Sequence, residues 1–245
     1  MNWFEEWFDS PLYEKLYINR NESEAEDLAR LIEKIIPRET YPKVLDLGCG
    51  RGRHSLTLAE KGYGVMGIDL SPQAIAKATK KVEKRGLENV QFKEQDMRIP
   101  LDDTFDAVVN LFTTFGYFLE DSENIKVLRS VHSMLRTKGR FMIDFLNTNL
   151  VEKNLVRRES GRYENLYFDI ERFIEDEMVY KKITFSGDDL EEAVHYQERV
   201  KLYDLNWFKQ KFDECGFSLK NGWGNYSGEE FNPEKSPRLI LLAEK

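Results

Sequence analysis

The sequence contains little cysteine and little histidine. Its two cysteines, Cys49 and Cys215, lie far apart in the chain, which argues against the disulfide framework of a small secreted domain. The three histidines show no metal-ligand spacing with each other or with cysteine; they are His54, His132 and His195. We therefore expect neither a metal site nor a disulfide scaffold.

Long apolar runs and an excess of basic residues are also missing. No segment approaches the roughly 20 consecutive apolar residues that span a bilayer, and the first residues do not combine a basic region with an apolar run. The formal net charge is −8, whereas a nucleic-acid-binding surface needs a concentrated basic face. These absences predict a cytoplasmic protein that binds neither membranes nor nucleic acid and acts on a small molecule or a protein.

Glycine, by contrast, is concentrated at one place. An apolar strand over 44–47 is followed by three glycines at alternate positions, and a helical pattern begins directly after them. Because glycine lacks a Cβ atom, such a turn lets a ligand approach bare backbone next to the N–H groups of a helix start. The glycines are Gly48, Gly50 and Gly52.

The spacing of these glycines separates two classes of ligand. A dinucleotide-binding turn needs its third glycine at position 53, where this chain has arginine. An acid at the end of the strand, Asp46, would repel a pyrophosphate and attract an ammonium. The run from Asp46 to Gly52 resembles motif I of the class I S-adenosylmethionine (SAM) methyltransferases. That resemblance implies SAM as cofactor, bound in part by Asp46, Gly48, Cys49, Gly50 and Gly52.

A second buried strand over 63–70 carries an acid at its carboxyl end. Asp69 lies about 20 residues after the glycines, where an acid accepts hydrogen bonds from ribose hydroxyls. Leu70, the next residue, is assigned to the cofactor site with it. Asp69 could instead cap the next helix, but Ser71 and Pro72 already provide a cap and a first helical residue. The sequence therefore predicts that Asp69 binds the ribose.

The third and fourth strands provide the remaining cofactor contacts that the resemblance implies. In the family resembled, an acid after the third strand binds the adenine amino group and the next backbone meets the ring, as Asp96 and Met97 would here. Without the resemblance, these two residues read as an ordinary acidic loop. Asn110 and Leu111, at the end of the fourth strand over 105–110, are assigned to the cofactor site on the same basis.

The loop after the fourth strand is unusually aromatic. It resembles the loop that borders the transferred methyl group in this superfamily, and Phe112, Phe115 and Tyr117 could offer aromatic faces to a sulfonium or a cationic substrate. The loop lacks the Asn/Asp-Pro-Pro-Tyr/Phe sequence of enzymes that methylate base or amide nitrogens. That departure argues against DNA, rRNA or glutamine as the acceptor.

The fifth strand holds a candidate catalytic acid. The spacing predicts a helix over 124–136, ended by Lys138 and Gly139, and then a strand over 140–145. Asp144 lies in this apolar strand and must be paired or desolvated, which suits a general base. A structural hydrogen bond explains the same residue equally well.

The N-terminal segment has two amphipathic or aromatic parts. Apolar residues at helical spacing predict a helix over 23–36, ended by Pro37, and a set rich in tryptophan and phenylalanine precedes it. This set could simply pack as core. Alternatively it closes over the cofactor, with Tyr17 and Arg20 facing it, since a guanidinium pairs bidentately with a carboxylate.

Residues 160–203 break the alternation of strands and helices. Their two-residue periodicity predicts a three-stranded antiparallel meander, which resembles insertions in sugar N,N-dimethyltransferases and glycine N-methyltransferase. An insertion at the carboxyl edge of the sheet would border the acceptor cavity, with Tyr196 as the lining residue. The same surface could instead form a homodimer interface, because an added sheet has an edge that must be covered.

These observations combine into one prediction. The fold class is α/β, a Rossmann-like seven-stranded methyltransferase sheet with a small antiparallel β insertion after strand five. The function is SAM-dependent methylation of an O or N nucleophile of a small molecule, with Asp144, Tyr117 and Tyr196 as catalytic candidates. A NAD-dependent oxidoreductase or a non-catalytic SAM-binding subunit remain the alternatives. The expected parts are a helical cap (1–36), a SAM-binding core (37–150), the insertion (151–203) and a C-terminal helix and hairpin (204–245).

Overall fold

A computed structural model describes residues 3–17, 22–188 and 190–245 of the chain. Its helices are α1 (Trp3–Asp9), α2 (Pro11–Leu16), α3 (Glu22–Ile35), α4 (Arg53–Glu60), α5 (Pro72–Arg85), α6 (Asp121–Met134), α7 (Thr148–Lys153) and α8 (Leu205–Glu214). Its strands are β1 (Lys43–Leu47), β2 (Gly64–Asp69), β3 (Val90–Glu94), β4 (Phe105–Asn110), β5 (Leu135–Leu146), β6 (Arg158–Tyr163), β7 (Leu166–Glu175), β8 (Met178–Gly187), β9 (Val194–Lys201), β10 (Ser218–Trp223) and β11 (Arg238–Glu244).

The larger sheet has seven strands in the order β10-β11-β5-β4-β1-β2-β3. Strands β1 to β5 pair in parallel, whereas β11 runs antiparallel to both β5 and β10. The order reverses at β1, from which the chain passes to β2 and β3 on one side and to β4 and β5 on the other. Ligands in open α/β sheets bind outside the carboxyl ends of the strands at this position.

Alternation along the strands buries both faces of this sheet. On β1, Leu45 and Leu47 belong to the cluster packed by α6 and α8, whereas Val44 belongs to the cluster packed by α3 and α4. On β5, Ile143 and Met142 divide in the same way. Such period-two alternation of apolar residues on both faces is the pattern of a sheet covered by helices on each side.

A second sheet is antiparallel, in the order β6-β7-β8-β9. The predicted meander corresponds to β7, β8 and β9, but the insertion has a fourth strand. β6 pairs with β7 from Arg158 opposite Glu171 to Tyr163 opposite Leu166. It escaped prediction because its sequence, Arg-Glu-Ser-Gly-Arg-Tyr, is polar throughout and has no apolar alternation.

The helical cap packs on this second sheet. Trp7 of α1 is fully buried against Ile170, Ile183 and Phe185. Ser10 caps α2 by accepting a hydrogen bond from the Leu12 N–H at 3.2 Å, with proline at the first helical position. The cap and the insertion therefore form one packed unit above the carboxyl edge of the large sheet.

The predicted fold class is confirmed: the chain has a seven-stranded, mostly parallel sheet and a separate antiparallel sheet after strand five. The predicted end of the helix over 124–136 was wrong. α6 stops at Met134 and β5 begins at Leu135, because Leu135 is buried and pairs with Phe105, while Lys138 takes a positive φ of 60° within the strand. Among the described residues, no helix is long and apolar enough to cross a membrane.

Candidate active site

The three glycines between β1 and α4 are required by backbone conformation and by packing. Gly48, Gly50 and Gly52 have φ values of 77°, 53° and 75°, in the left-handed region that side chains disfavour. A Cβ atom on Gly48 would lie 2.8 Å from Thr114 Oγ1, and one on Gly52 would lie 2.5 Å from Phe92 Cζ. Gly48 and Gly52 are therefore required by close packing, whereas a Cβ atom on Gly50 would meet nothing within 4 Å, so the turn leaves open space there.

Hydrogen bonds fix this turn to the end of β2. The N–H groups of Gly48 and Cys49 donate to Ile68 O at 2.8 and 2.9 Å, and the N–H of Gly50 donates to Asp69 Oδ2 at 2.8 Å. These N–H groups are thus satisfied within the protein. A ligand at the turn gains close approach to the backbone rather than bonds from these three groups.

Asp46 is 2% exposed at the end of β1 and lies on the wall of a large cavity. The Ser55 hydroxyl donates to its Oδ2 at 2.5 Å. Burial raises the pKa of Asp46 to about 6, an effect that the Ser55 hydrogen bond opposes and the nearby Asp69 carboxyl reinforces. A buried carboxylate of this kind is suited to an ammonium, which would restore a favourable charge pair.

Asp69 lies at the carboxyl end of β2 and borders the same cavity. Besides the bond from Gly50, its Oδ1 accepts the Ser71 N–H at 2.9 Å. Ser71 Oγ accepts the Ala74 N–H at 2.9 Å, so Ser71 caps α5. Burial raises the pKa of this carboxyl, and backbone hydrogen bonds from Ser71, Gly50 and Leu70 oppose that effect.

A small cavity adjoins Asp69 on the β3 side. Its volume is about 60 Å³, and Leu70, Asp96 and Met97 contribute to its wall together with Phe4 and Phe8 of α1. The aromatic side chains of α1 thus line the same cavity as the residues predicted to bind the adenine. The structure therefore brings Asp96 and Met97, the two residues assigned to the adenine, to one cavity together with Leu70.

Asp96 is also engaged by Arg98. Its Oδ2 accepts from Arg98 Nη2 at 2.6 Å and its Oδ1 accepts from the Arg98 N–H at 2.9 Å. Burial acts to raise the pKa of Asp96, but the hydrogen bonds from Arg98 outweigh it, so the pKa lies below its ordinary value. Asp96 is therefore a charged acceptor already shared with a cation, and its bond to adenine stays a prediction.

The large cavity has a volume of about 790 Å³. It extends from the glycine turn past Leu111, Phe112 and Thr113 to Glu198 and Val200 of β9. Tyr17 of the cap also borders it. One space therefore joins the predicted cofactor turn to the inner side of the insertion.

The carboxyl end of β4 supports this cavity from behind. Asn110 is fully buried, and its Nδ2 donates to Leu47 O and to Thr114 Oγ1, both at 2.8 Å. It links β4 to β1, while Leu111 is the residue that reaches the cavity. In the loop that follows, Phe112 and Tyr117 line the cavity, but Phe115 is 1% exposed and packs in the core against Phe145 and Phe208.

Residues 41–204 match a protein family described as a methyltransferase domain. The chain belongs to this family. It is 25% identical over 231 residues to the glycine/sarcosine N-methyltransferase of Parasynechococcus marenigrum (strain WH8102), an alignment that covers 88% of this chain and 75% of the relative. Together with the glycine turn and the sheet order, the match identifies a class I SAM-dependent methyltransferase.

Solved methyltransferase structures share the fold. A SAM-dependent methyltransferase from Clostridium acetobutylicum ATCC 824 superposes with a TM-score of 0.81 at 19% identity, covering 95% of this chain and 96% of that one. SAM-bound CalS10, an amino pentose methyltransferase from Micromonospora echinaspora, gives 0.69 at 20% identity, with 96% and 97% covered. The cap and the insertion are included in these superpositions, because so little of either chain is left out.

Asp144 of this methyltransferase is fully buried behind the cavity wall. Its Oδ1 accepts from Arg238 Nε at 2.7 Å, and its Oδ2 accepts from the Phe112 N–H and the Tyr226 hydroxyl, each at 2.9 Å. Phe112 and Thr113 have positive φ values of 61° and 62°, so Asp144 holds a strained loop and an arginine. This environment favours the structural hydrogen-bonding role over the general base.

Tyr117 packs between the cap and the loop. Its ring lies 5.1 Å from Trp3 and 5.8 Å from Phe8 between centroids, and it borders both the large and the small cavity. Tyr196 lies farther out, with its ring 4.5 Å from that of Trp7 and its hydroxyl 3.0 Å from Ser10 Oγ. Tyr196 thus contacts the cap and does not border the large cavity, and its predicted role at the acceptor stays a prediction.

The residues of β9 that do reach the cavity are two and four positions farther along the same face: Glu198 and Val200. Glu198 Oε1 accepts from Trp7 Nε1 and from the Tyr17 hydroxyl, both at 2.6 Å, and Lys181 Nζ lies 3.6 Å from Oε2. Tyr17 borders the cavity, and its contact with the cofactor stays a prediction, whereas Arg20 lies outside the described residues. Glu198 lies two positions after Tyr196 and therefore on the same face of the strand, so the alternation could have identified it. Its charge instead suggested an exposed position.

Proposed function

We propose that this methyltransferase transfers the methyl group of SAM to a nitrogen or oxygen of a small molecule bound in the large cavity. The observation that carries the proposal is the cavity itself: about 790 Å³, within the range of roughly 300–1,000 Å³ of small-molecule sites. It is bordered by the glycine turn on one side and by the cap and β9 on the other. A macromolecular acceptor would need a more open surface.

The residues at the turn fit the cofactor. In this proposal Asp69 binds the ribose hydroxyls, Asp46 binds the methionine ammonium, and Asp96 and Met97, beside the small cavity, contact the adenine. Gly48, Gly50, Gly52, Cys49, Asn110 and Leu111 form or support the surface against which the cofactor lies. Tyr17 borders the far end, and Arg20 stays a prediction for the methionine carboxylate.

Bound SAM would supply a methyl group on a positively charged sulfur that is already a strong electrophile. The protein therefore has to align an acceptor with it and to exclude water, and few catalytic groups are needed. In this proposal Phe112, Tyr117 and Val200 shape the acceptor space, while Asp144 positions Arg238 and the loop. Nitrogen is the favoured nucleophile, because the relatives named above methylate glycine, sarcosine or an amino sugar.

The remaining predictions are part of the same proposal. The parts are the cap (1–36), the SAM-binding core (37–150), the insertion (151–203) and the C-terminal helix and hairpin (204–245). The insertion also provides a homodimer interface through its outer strand, and the protein acts in the cytoplasm without binding nucleic acid. Mass in solution, measured by light scattering, tests the dimer.

Calorimetry with SAM, S-adenosylhomocysteine (SAH) and NAD tests the cofactor, and transfer of labelled methyl groups to a panel of small amines and alcohols tests the reaction. We expect SAM and SAH to bind and NAD not to bind. Binding of NAD alone would contradict the proposal. Binding of SAM with no transfer to any compound in crude small-molecule extracts would favour a non-catalytic SAM-binding subunit.

A further inference from the structure

Two arginines lie on one wall of the large cavity and face the same aromatic ring. The guanidinium carbon of Arg53 is 4.8 Å from the centroid of the Phe112 ring, and that of Arg238 is 5.7 Å from it. Both arginines border the cavity, and their side chains are 26% and 22% exposed. Arg53 Nη1 also lies 3.9 Å from Glu24 Oε2, and Arg238 pairs with Asp144. Because both cations still lie beside one ring at the cavity, an anion between them would be stabilised.

Arg238 is held in place by groups behind the wall. Its Nε donates to Asp144 Oδ1 at 2.7 Å, and its Nη2 donates to Thr113 Oγ1 at 2.7 Å. Asp144 is in turn fixed by the Phe112 N–H and the Tyr226 hydroxyl. Within the part of the chain that the structure describes, Nη1 has no hydrogen-bond partner, so a rigid guanidinium still has donors to offer at the cavity.

The cavity has more cationic side chains than binding of the cofactor alone would need. SAM carries a sulfonium, an ammonium and one carboxylate, and so has a net positive charge, for which Asp46 and Asp69 are the complement. Yet the cavity is lined by five cationic side chains and three carboxylates, in a chain whose net charge is −8. The cationic residues are Lys15, Arg51, Arg53, Lys81 and Arg238.

We propose that the methyl acceptor carries a carboxylate or a phosphate, and that this group binds Arg238 and Arg53 beside the Phe112 ring. The inference rests on the proposed function and names the class of its substrate. Arginine is the residue suited to this recognition, because its planar fork matches both anions bidentately. Fixing Arg238 in advance through Asp144 and Thr113 reduces the entropy lost on binding.

The methionine carboxylate of SAM is the other anion that could occupy this position. It can be separated from the acceptor by comparing SAH with 5′-methylthioadenosine, which lacks the amino acid part. If Arg238→Gln weakens SAH binding tenfold and leaves methylthioadenosine binding unchanged, the arginines bind the cofactor and the inference is overturned. We expect both ligands to bind the variant within twofold of the original protein.

The acceptor position itself is probed with inorganic phosphate and with acetate, each titrated into SAH-saturated protein and followed by NMR. We expect at least one anion to bind, and to bind at least tenfold more weakly to Arg53→Gln and Arg238→Gln. Arg85→Gln is the matched control, since Arg85 pairs with Glu60 on the exposed end of α5. Preference for phosphate or for acetate identifies the anionic group.

Two results would overturn the inference: neither anion binds, or both arginine variants bind the anions as the original protein does. Because Arg238→Gln leaves Asp144 without its countercharge, Arg238→Lys and Arg53→Gln are measured beside it. A protein that fails to bind SAH at all would contradict the proposed function instead, so the two failures are distinguishable.

Discussion

The Asp69 carboxylate accepts the Gly50 N–H at 2.8 Å through one oxygen and the Ser71 N–H at 2.9 Å through the other. One side chain at the end of β2 thus fixes the glycine turn, connects it to the start of α5 and borders the large cavity. The residue that is predicted to bind the ribose therefore also holds the turn in its conformation. Removing it therefore affects both the fold and the ligand.

We predict that Asp69→Asn weakens SAH binding at least tenfold. The amide cannot accept at both former oxygen positions. A hydrogen bond to a charged group contributes about 1.5–3 kcal/mol, and a loss of about 1.4 kcal/mol in binding free energy lowers the affinity tenfold. Asp69→Ala should also lower the melting temperature without ligand, because two backbone N–H groups lose their acceptor. Calorimetry and thermal unfolding measure the two effects.

Asp27→Asn is the control for this experiment, since Asp27 lies on the exposed face of α3 and, among the described residues, forms an ion pair only with Arg30, three positions along the helix. It should change neither quantity. If Asp69→Asn binds SAH normally, Asp69 serves only to hold the turn and the assignment to the ribose is wrong.

We predict that SAH affinity falls as the pH drops below about 6. The pKa of Asp46 is raised to about 6 by burial, so below that value the carboxyl is neutral and loses its attraction for the ligand's ammonium. SAH is used because it has no sulfonium, so a second positive charge does not contribute to the measured affinity. Calorimetry from pH 5 to pH 8 measures the change, and Asp46→Asn should remove it along with most of the affinity.

Asp46 also makes the free energy of unfolding depend on pH. Unlike the affinity for SAH, this contribution to stability is higher at low pH. Its folded pKa of about 6 lies above the ordinary 3.8, so the folded state holds the proton more tightly. The contribution of Asp46 to the free energy of unfolding is therefore largest below pH 3.8 and falls as the pH rises to about 6, by ~3 kcal/mol. Without ligand, Asp46→Asn should be more stable than the original protein at pH 8, by urea unfolding. Equal stability at pH 8 would contradict the desolvation of Asp46.

Asp144 is predicted to act through Arg238 rather than on a proton of the substrate. Asp144→Asn breaks a buried ion pair and should lower the free energy of unfolding by about 3–5 kcal/mol. If Asp144 only positions its neighbours, the variant should keep the pH profile of kcat. Tyr226→Phe is the control, because it removes one hydrogen bond to the same oxygen and should cost only ~1 kcal/mol. If the Asp144→Asn protein is stable and its kcat becomes independent of pH, Asp144 acts as a general base instead.

The glycine turn and the sheet were predictable because local sequence determines them. Gly48 and Gly52 occupy left-handed conformations that few other residues tolerate, and the apolar alternation of β1 follows from burial on both faces. The capping of α5 by Ser71 is equally local. Such features need no knowledge of distant parts of the chain.

The residues that the sequence did not reveal depend on distant contacts. Arg238 reaches the cavity because β11 inserts beside β5, placing it opposite Leu146 and within reach of Asp144, 94 positions away. Glu198 reads as a surface charge until α1 and α2 bring Trp7 and Tyr17 to it. The polar β6 becomes a strand only because β7 offers an edge. No periodicity within these segments indicates their partners.

The inner face of β9 provides the last prediction, on which residue of the insertion controls methyl transfer. Tyr196 and Glu198 lie on the same face, two positions apart, and each bonds the cap: Tyr196 to Ser10 at 3.0 Å, Glu198 to Trp7 and Tyr17 at 2.6 Å. Only Glu198 of the two borders the large cavity. Tyr196→Phe and Glu198→Gln are therefore a matched pair, each changing one polar group without removing a side chain.

We expect Glu198→Gln to lower turnover on any identified acceptor at least tenfold while SAH affinity stays within twofold. The amide weakens two charge-assisted hydrogen bonds, one that holds Tyr17 at the cavity wall and one that holds the buried Trp7, and it removes the negative charge 3.6 Å from Lys181 Nζ. Tyr196→Phe should keep turnover within twofold, because its ring still packs on Trp7 at 4.5 Å. Steady-state kinetics and calorimetry measure both variants. A large loss of turnover in Tyr196→Phe with normal turnover in Glu198→Gln would return the acceptor-lining role to Tyr196.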